Sequence, residues 1–124
     1  MAAAARQPTA VICDDDEMTR QILRTVVERS GYKVLAGVGT AIDALNLTLA
    51  HHPDVLLLDL VMPGMPGEDI IESIKECCHN TKVIVHTAYD PRFAVKSGAR
   101  HFVSKGQYRL LEQTLHKLHP TPVA

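Results

Sequence analysis

Several short apolar runs in this chain are each followed by residues that could bind phosphate or a metal ion. The runs are 11–13, 55–58, 83–86 and 102–103, and the polar residues that follow them are Asp14, Asp15 and Asp16, then Asp59, Thr87 and Lys105. Continuous apolar runs separated by helical patterns are typical of strands buried on both faces of a parallel sheet. Ligands bind at the carboxyl ends of such strands. We therefore expect these polar side chains to lie along one edge of a sheet.

The residue types at this edge favour phosphate chemistry assisted by a metal ion. The carboxylates of Asp14, Asp15 and Asp59 would repel one another unless one is protonated or a cation lies between them. Mg²⁺ is commonly bound by a few carboxylates together with water and phosphate oxygens. Lys105 would supply positive charge to a phosphoryl oxygen, and Thr87 a hydroxyl donor, from a solvent-facing edge. Asp59 stands alone after its strand, which favours it as the nucleophile that attacks phosphorus.

Taken singly, these residues have ordinary structural explanations. An acidic residue often precedes a helix because it stabilises the helix N-terminus, and we prefer this explanation for Asp16. A Thr after a strand is usually a turn residue, and a lone Lys is usually solvated. Complementary groups at the ends of four predicted strands are better explained by a shared site.

The elements that must position these residues follow from the apolar periodicity. Strands are predicted at 9–13, 33–38, 54–59, 82–86 and 101–103. Helices are predicted at about 17–30, 40–51, 68–78, 90–98 and 107–118. Five strands that alternate with five helices make an α/β fold with a doubly wound, five-stranded parallel sheet. We expect a domain over residues 9–119, with a flexible N-terminal tail at 1–8 and a C-terminal tail at 120–124.

Apolar residues spaced three and four apart predict the buried face of each helix. Those expected to face the core are, in the first helix, Met18, Ile22, Leu23, Val26 and Val27; in the second, Ile42, Leu45 and Leu49; in the third, Ile70, Ile71 and Ile74; and in the last, Leu110, Leu111, Leu115 and Leu118.

The composition limits the possible partners. The chain has 13 Lys and Arg residues against 14 Asp and Glu residues, so it lacks the basic excess of a nucleic-acid-binding surface. Cys13, Cys77 and Cys78 suggest no disulfide framework and, with His79, lack the paired spacing of a zinc site. The sequence contains no segment typical of a membrane span or a secretory signal. We expect a cytoplasmic protein whose partners are proteins or small molecules, with no direct binding to nucleic acid or membrane.

From Thr9 to about Leu118 the chain resembles the receiver domain of bacterial two-component response regulators, the fold of the chemotaxis response regulator. The matching parts are the pair Asp14-Asp15, Arg20, the segment VLLLDLVMPGMPG around Asp59, the segment HTA with Thr87, and the segment GARHFVSK with Phe102 and Lys105. This resemblance implies a flavodoxin-like strand order of 2-1-3-4-5. It also implies a signalling protein that catalyses only its own phosphorylation and dephosphorylation.

The resemblance further implies a role for each site residue. Asp59 would be phosphorylated by a histidine kinase or a phosphotransfer protein. Asp15 and Asp59 would bind Mg²⁺ directly, together with the backbone carbonyl of Val61, and Asp14 would act largely through water. Thr87 and Phe102 would form a switch that reports phosphorylation to an output face made by the fourth helix, the fifth strand and the fifth helix. A downstream protein target, which the sequence does not name, would bind there.

The chain departs from the family pattern at three places. Pro66 replaces a common Asp and stiffens the loop without removing a site ligand. Gly106 follows Lys105 where the family usually has a proline in a cis bond; a cis bond without proline costs about 2.5–4 kcal/mol, which favours trans and leaves both isomers open. The segment between Thr87 and Gly98 is shorter than usual by about one helical turn. We therefore expect a shortened fourth helix.

Two residues flank the expected path of the water that hydrolyses an acyl phosphate in this family's geometry. These are Val61 and Tyr89, two residues beyond Asp59 and Thr87 respectively. A branched apolar side chain and a bulky ring neither orient that water strongly nor leave it much room. We expect slow self-dephosphorylation.

A function from another class is a small Mg²⁺-dependent phosphohydrolase of the haloacid dehalogenase kind, which also uses an aspartate nucleophile after its first strand. That class needs a hydroxyl or small residue at a fixed place after an Asp-x-Asp pair, where this chain has Met18. It also needs a cap or a longer chain to enclose its substrate. The signalling switch is the preferred interpretation.

Overall fold

The sheet has five parallel strands in the order β2-β1-β3-β4-β5. The computed structural model describes residues 6–62, 67–88 and 98–119. The strands are β1 (Thr9–Cys13), β2 (Lys33–Val38), β3 (Val55–Leu58), β4 (Lys82–Thr87) and β5 (His101–Ser104). The predicted parallel sheet and its strand order are confirmed.

Four helices lie in the described residues, in place of the five predicted. They are α1 (Glu17–Arg29), α2 (Ala41–His51), α3 (Gly67–Cys77) and α4 (Tyr108–Leu118), the last being the fifth helix of the prediction. The predicted short helix between Asp90 and Gly98 falls on residues 89–97, outside the described residues, as does Pro66. None of the described helices is both long and apolar enough to cross a bilayer.

Two apolar cores cover the two faces of the sheet. In β1, Ala10 and Ile12 belong to one core, and Val11 and Cys13 belong to the other. Side chains alternate between the faces of a strand, so a strand that is apolar throughout contributes to both cores. The first core includes buried residues of α1 and α4, and the second includes buried residues of α2 and α3. This double burial explains why the strands of the sequence are continuous apolar runs.

The buried faces of α3 and α4 largely match the prediction. Ile70, Ile71 and Ile74 are all buried. Leu111 and Leu115 are also buried, whereas Leu110 is exposed and Leu118 is partly buried.

The buried faces of α1 and α2 differ from the prediction. Met18 and Ile22 of α1 are exposed, although Leu23, Val26 and Val27 are buried as expected. Of the residues of α2 predicted to be buried, Ile42 and Leu49 are exposed and Leu45 is partly buried, while the buried residues are Ala41, Ala44 and Thr48. Small side chains let α2 lie close to the sheet, and larger apolar residues then point outward. Hydrophobicity alone therefore predicted the wrong face of α2.

The predicted N-cap of α1 is confirmed, and a side chain also caps α2. The carboxylate of Asp16 accepts a hydrogen bond of 3.0 Å from the backbone N–H of Thr19. The hydroxyl of Thr40 accepts one of 3.3 Å from the N–H of Asp43. Such caps satisfy backbone donors that lack a partner within the helix. Asp16 therefore fixes where α1 begins, immediately after the acidic pair.

Candidate functional site

The register of the sheet brings Asp14 and Asp59 to the same edge. Cys13 pairs with Leu58 at the carboxyl ends of β1 and β3, and each of these residues is followed by an aspartate. The N–H of Asp59 donates to the carbonyl of Cys13 over 3.0 Å, which continues the ladder by one residue. Both aspartates are therefore positioned by the backbone of central strands.

Asp14, Asp15 and Asp59 form a compact group, here named the acidic cluster. One carboxylate oxygen of each lies within 4.8 Å of the others. Asp14 and Asp59 are almost fully buried, while Asp15 is exposed. Backbone donors hold the buried pair, since Asp14 Oδ1 accepts from the N–H of Asp16 and Asp59 Oδ1 from the N–H of Val61, at 2.9 and 3.0 Å. The predicted group of three carboxylates thus exists as a spatial cluster.

The ammonium of Lys105 lies between the two buried carboxylates. Its Nζ is 2.8 Å from Asp59 Oδ2 and 3.3 Å from Asp14 Oδ2. Burial opposes the charged form of this lysine, but its hydrogen bond to Asp59 and the charges of Asp59 and Asp14 outweigh that effect and raise the pKa of Lys105. Asp14 Oδ2 accepts no hydrogen bond from the described residues, so this ion pair is its electrostatic compensation.

The peptide bond after Lys105 is trans, and Gly106 has a φ of 90°. Proline fixes φ near −65°, so it could not occupy this position in the conformation seen here. The Lys105 N–H donates to the Thr87 carbonyl over 3.0 Å, which holds the lysine beside β4. The lysine therefore reaches the acidic cluster without the cis proline that is usual in the family.

Thr87 and Phe102 lie on the neighbouring strands β4 and β5. Thr87 is only 2% exposed, so the expectation that it faces solvent is wrong, because it ends a central strand whose last residues are covered on both faces. Phe102 is 39% exposed and pairs in register with Val85. The structure describes their positions, and their role as a switch stays a prediction.

Val61 and Tyr89 are the residues expected to control phosphate lifetime, and only Val61 lies in the described part of the chain. Val61 is exposed and follows Asp59 closely enough for its N–H to bond the Asp59 carboxylate. Tyr89 lies outside the described residues.

Two further residues support the site from outside the acidic cluster. Arg20 Nη1 donates to the carbonyl of Asp14 over 2.7 Å, and a Cβ at Gly39 would lie 3.2 Å from that nitrogen. His86 is buried, its ring stacks on Tyr108, and neither ring nitrogen has a hydrogen-bond partner in the described residues. Burial, followed by the charge of Lys105, lowers the pKa of His86. His86 is therefore a packing residue.

The cysteines do not add to the metal-binding group. Among the described residues, the acidic cluster is the one set of three or more ligating side chains. Burial, and then the charge of Asp14, raise the pKa of the Cys13 thiol to about 12, so it stays protonated at neutral pH.

Sequence reasoning missed the backbone donors of Asp16 and Val61, because a backbone N–H carries no signal in residue identity.

A central parallel sheet with paired acids, a lone aspartate and a lysine at its carboxyl edge defines a class of signalling modules. A sequence profile of the response regulator receiver domain matches residues 10–116, and the chain belongs to this family. It is thus a receiver domain of two-component signalling systems, a class of signalling switches.

Individual relatives agree with this assignment. The chain is 30% identical over 99 residues to the chemotaxis protein CheY of Thermotoga maritima, which covers 77% of this chain and 82% of that protein. It is 30% identical over 95 residues to an uncharacterized response regulatory protein of Staphylococcus epidermidis, covering 75% of this chain but only 37% of that one. The receiver (REC) domain of AraT, a response regulator from Geobacillus stearothermophilus, superposes with a TM-score of 0.80 at 27% identity, over 91% of this chain and 93% of that domain.

Proposed function

We propose that this receiver domain is a phosphorylatable switch in which Asp59 accepts a phosphoryl group from a histidine kinase or a phosphotransfer protein. The observation that carries the proposal is the Lys105 ammonium, which lies 2.8 Å from the carboxylate of Asp59, a member of the acidic cluster. A cation at this distance can move to a phosphoryl oxygen once Asp59 is modified.

The chemistry of Asp59 follows from its contacts. Its Oδ1 is oriented by the N–H of Val61, and its Oδ2 by Lys105. In the proposed step a carboxylate oxygen of Asp59 forms a bond to phosphorus while the P–N bond of a phosphohistidine donor breaks. The donor imidazole keeps the electron pair of that bond. Lys105 and the hydroxyl of Thr87 would then stabilise charge on the transferred oxygens.

The acidic cluster fits Mg²⁺. Its donors are all carboxylate oxygens, one of them the buried Asp14 Oδ2, and Lys105 balances only part of their negative charge. Asp14, Asp15 and Asp59 would hold the ion, together with the backbone carbonyl of Val61. A bound Mg²⁺ would neutralise negative charge as the phosphoryl group approaches.

The output of the switch would pass through Thr87 and Phe102. Thr87 ends β4 beside Lys105, and Phe102 lies in the neighbouring strand with an exposed ring. A hydroxyl drawn toward the phosphoryl group would leave room for the ring to turn inward, which changes the surface of β5 and α4. We propose that an unidentified downstream protein binds this surface.

Cys13, Cys77 and Cys78 are all free thiols, which supports the proposed cytoplasmic location.

The test is phosphorylation of the purified chain by acetyl phosphate with Mg²⁺, followed by intact-mass spectrometry. We expect the mass to rise by one phosphoryl group in the wild type and in Asp69→Asn, a control at an exposed aspartate of α3. Asp59→Asn and Asp59→Ala should gain no mass. Phosphate that persists on Asp59→Ala would contradict the assignment, and catalytic turnover of an aryl phosphate would favour a phosphohydrolase.

A further inference from the structure

A cavity of about 370 Å³ lies at the edge of the sheet opposite the acidic cluster. It is bounded by the end of α3 and by the first residues of β4 and β5. Lys82 and Thr87 stand at opposite ends of β4, so roughly 16 Å of strand separates the cavity from the proposed phosphorylation site. Pockets for small ligands span roughly 300–1,000 Å³, and this cavity falls within that range.

The floor of the cavity is apolar. Partly buried Val83 and Ala99 supply its accessible apolar surface, and the almost fully buried side chains of Ile71, Ile74 and Cys78 lie beneath them. Burial, followed by the hydrogen bond with Cys77, raises the pKa of the Cys78 thiol to about 11, so Cys78 is neutral at physiological pH. The floor therefore offers contact to a flat or apolar group and carries no charge.

The rim of the cavity is cationic. Lys75, Lys82 and Arg100 line it and are exposed, and His79 and His101 lie beside them. In the described part of the chain, the residues that line the cavity include no aspartate or glutamate. Among the described residues, none of these three cations forms an ion pair with a carboxylate. No carboxylate of the described residues neutralises their positive charge, and we name this cavity with its rim the cationic groove.

One of these charges is held in place by a neutral acceptor. Lys75 Nζ donates to the carbonyl of Gly98, and a Cβ at Gly98 would lie 3.0 Å from that nitrogen. Glycine at this position, with a φ of 86°, allows the close approach. Because a carbonyl brings no charge, the ammonium keeps its full attraction for an anion and has two further N–H groups to donate.

The histidines add to the same field. His79 Nδ1 is 2.9 Å from the carbonyl of Lys75, which only accepts, so Nδ1 carries the proton and Nε2 is the nitrogen left for a ligand. Burial, and then the charges of Lys82, Lys117 and Arg100, lower the pKa of His101. The charges of the described residues that lower this pKa are all positive, in agreement with the cationic character of the rim.

We propose that the cationic groove binds a nucleoside phosphate, with the phosphate on the Lys75, Lys82 and Arg100 rim and the base on the apolar floor. A phosphate monoester carries about −1.5 to −2 charges at neutral pH, whereas a carboxylate carries one. The phosphate is therefore the better match for a site with several cations. The guanidinium of Arg100 can donate two parallel hydrogen bonds to phosphate oxygens. The cations surround one cavity, which favours a compact ligand over an extended acidic peptide.

The proposal is tested by adding adenosine monophosphate to the full chain and following backbone amide chemical shifts. EDTA is present, so that no divalent ion draws the nucleotide to the acidic cluster. We expect saturable shifts confined to residues 71–83 and 98–101. Adenosine and inorganic phosphate, which each supply half of the ligand, should bind about tenfold more weakly or less. Equal affinity for inorganic phosphate would overturn the assignment of the base to the floor.

Matched lysines at two strand starts provide the control. Lys82 begins β4 at the groove and Lys33 begins β2 at the far end of the sheet, and both are exposed. Lys82→Gln and Arg100→Gln should each weaken binding about tenfold, the effect of losing one charged hydrogen bond. Lys33→Gln should leave binding unchanged. Absence of saturable binding, equal loss in Lys33→Gln, or tighter binding of a glutamate-rich peptide than of the nucleotide would overturn the proposal.

Discussion

The ammonium of Lys105 compensates much of the negative charge at the carboxyl edge of the sheet. It faces two buried carboxylates, Asp14 and Asp59, whose mutual repulsion it reduces. Asp15 adds a third carboxylate from the solvent side. Lys105 and a divalent cation would therefore neutralise the same negative charge, and each should matter more when the other is absent.

Replacement of Lys105 by methionine keeps the stem of the side chain and removes its charge. We expect Lys105→Met to lower the free energy of unfolding in EDTA by about 1–3 kcal/mol, because two buried carboxylates lose their counter-charge. Added Mg²⁺ should stabilise the variant more than the wild type. Urea denaturation with and without Mg²⁺ measures both effects, and Lys33→Met is the control. An equal Mg²⁺ effect in both proteins would show that the two cations do not share this charge.

The lifetime of the proposed acyl phosphate is a second property set by single residues. Val61 is exposed beside Asp59 and offers no side-chain hydrogen bond to an attacking water. Changing Val61 to Asn and Tyr89 to Glu should hasten loss of phosphate, because both new side chains can orient water. The measurement is the decay of radiolabelled phosphoprotein after the donor is removed. An unchanged or slower rate in the double variant would show that these positions do not control access.

At the scale of elements, the turn between β5 and α4 depends on glycine. Gly106 has a φ of 90°, and a Cβ there would meet nothing within 4 Å. Gly106→Ala should therefore cost about 1–2 kcal/mol from backbone strain alone. Gly37→Ala is a suitable control, since its Cβ would make only an ordinary contact of 3.6 Å with Arg20. Urea denaturation of both variants gives the comparison, and equal stability would refute a strained turn.

Elements also show how far the sequence determines this structure. Most strand positions and strand-end residues were predictable, because double burial makes the central strands β1, β3 and β4 continuous apolar runs, each followed by or ending at a polar residue. The inner face of α2 was not, because Ala41 and Ala44 are small and Ile42 and Leu49 have the same helical spacing on the outer side. The cationic groove was not predictable either. Its cations come from residues 75–82 and from Arg100, and only the packing of α3 beside β4 and β5 brings them together.

At the scale of the whole molecule, the carboxyl ends and the amino ends of the strands carry different groups of charged residues. The carboxyl edge holds the acidic cluster, while the amino edge holds Asp54, which joins the start of β3 to the start of β1. Its carboxylate accepts the N–H of Thr9 over 2.8 Å and two hydrogen bonds from Arg6, at 2.9 and 2.7 Å. Arg6 lies in the segment predicted as a tail. Asp54 therefore links residues that are 45 and 48 positions apart in the chain.

This linkage makes part of the stability of the fold depend on pH. Burial opposes ionisation of Asp54, but the hydrogen bonds from Arg6 and Thr9 outweigh it, and the pKa of Asp54 falls below 3.8 in the folded protein. The ionised carboxylate therefore stabilises the fold at pH values above the unfolded pKa. That contribution is lost as the pH falls through the lower, folded pKa.

We expect Asp54→Asn to lower the free energy of unfolding by about 1–3 kcal/mol at pH 7, because the variant keeps the shape of the side chain but loses its charge toward Arg6. The difference from wild type should shrink as the pH is lowered below 3.8, where the unfolded wild-type carboxyl becomes protonated. Urea denaturation at a series of pH values measures this convergence, with Asp69→Asn as the exposed control. A difference that stays constant from pH 7 to acid would mean that Asp54 acts through its shape and neutral hydrogen bonds, and not through its charge.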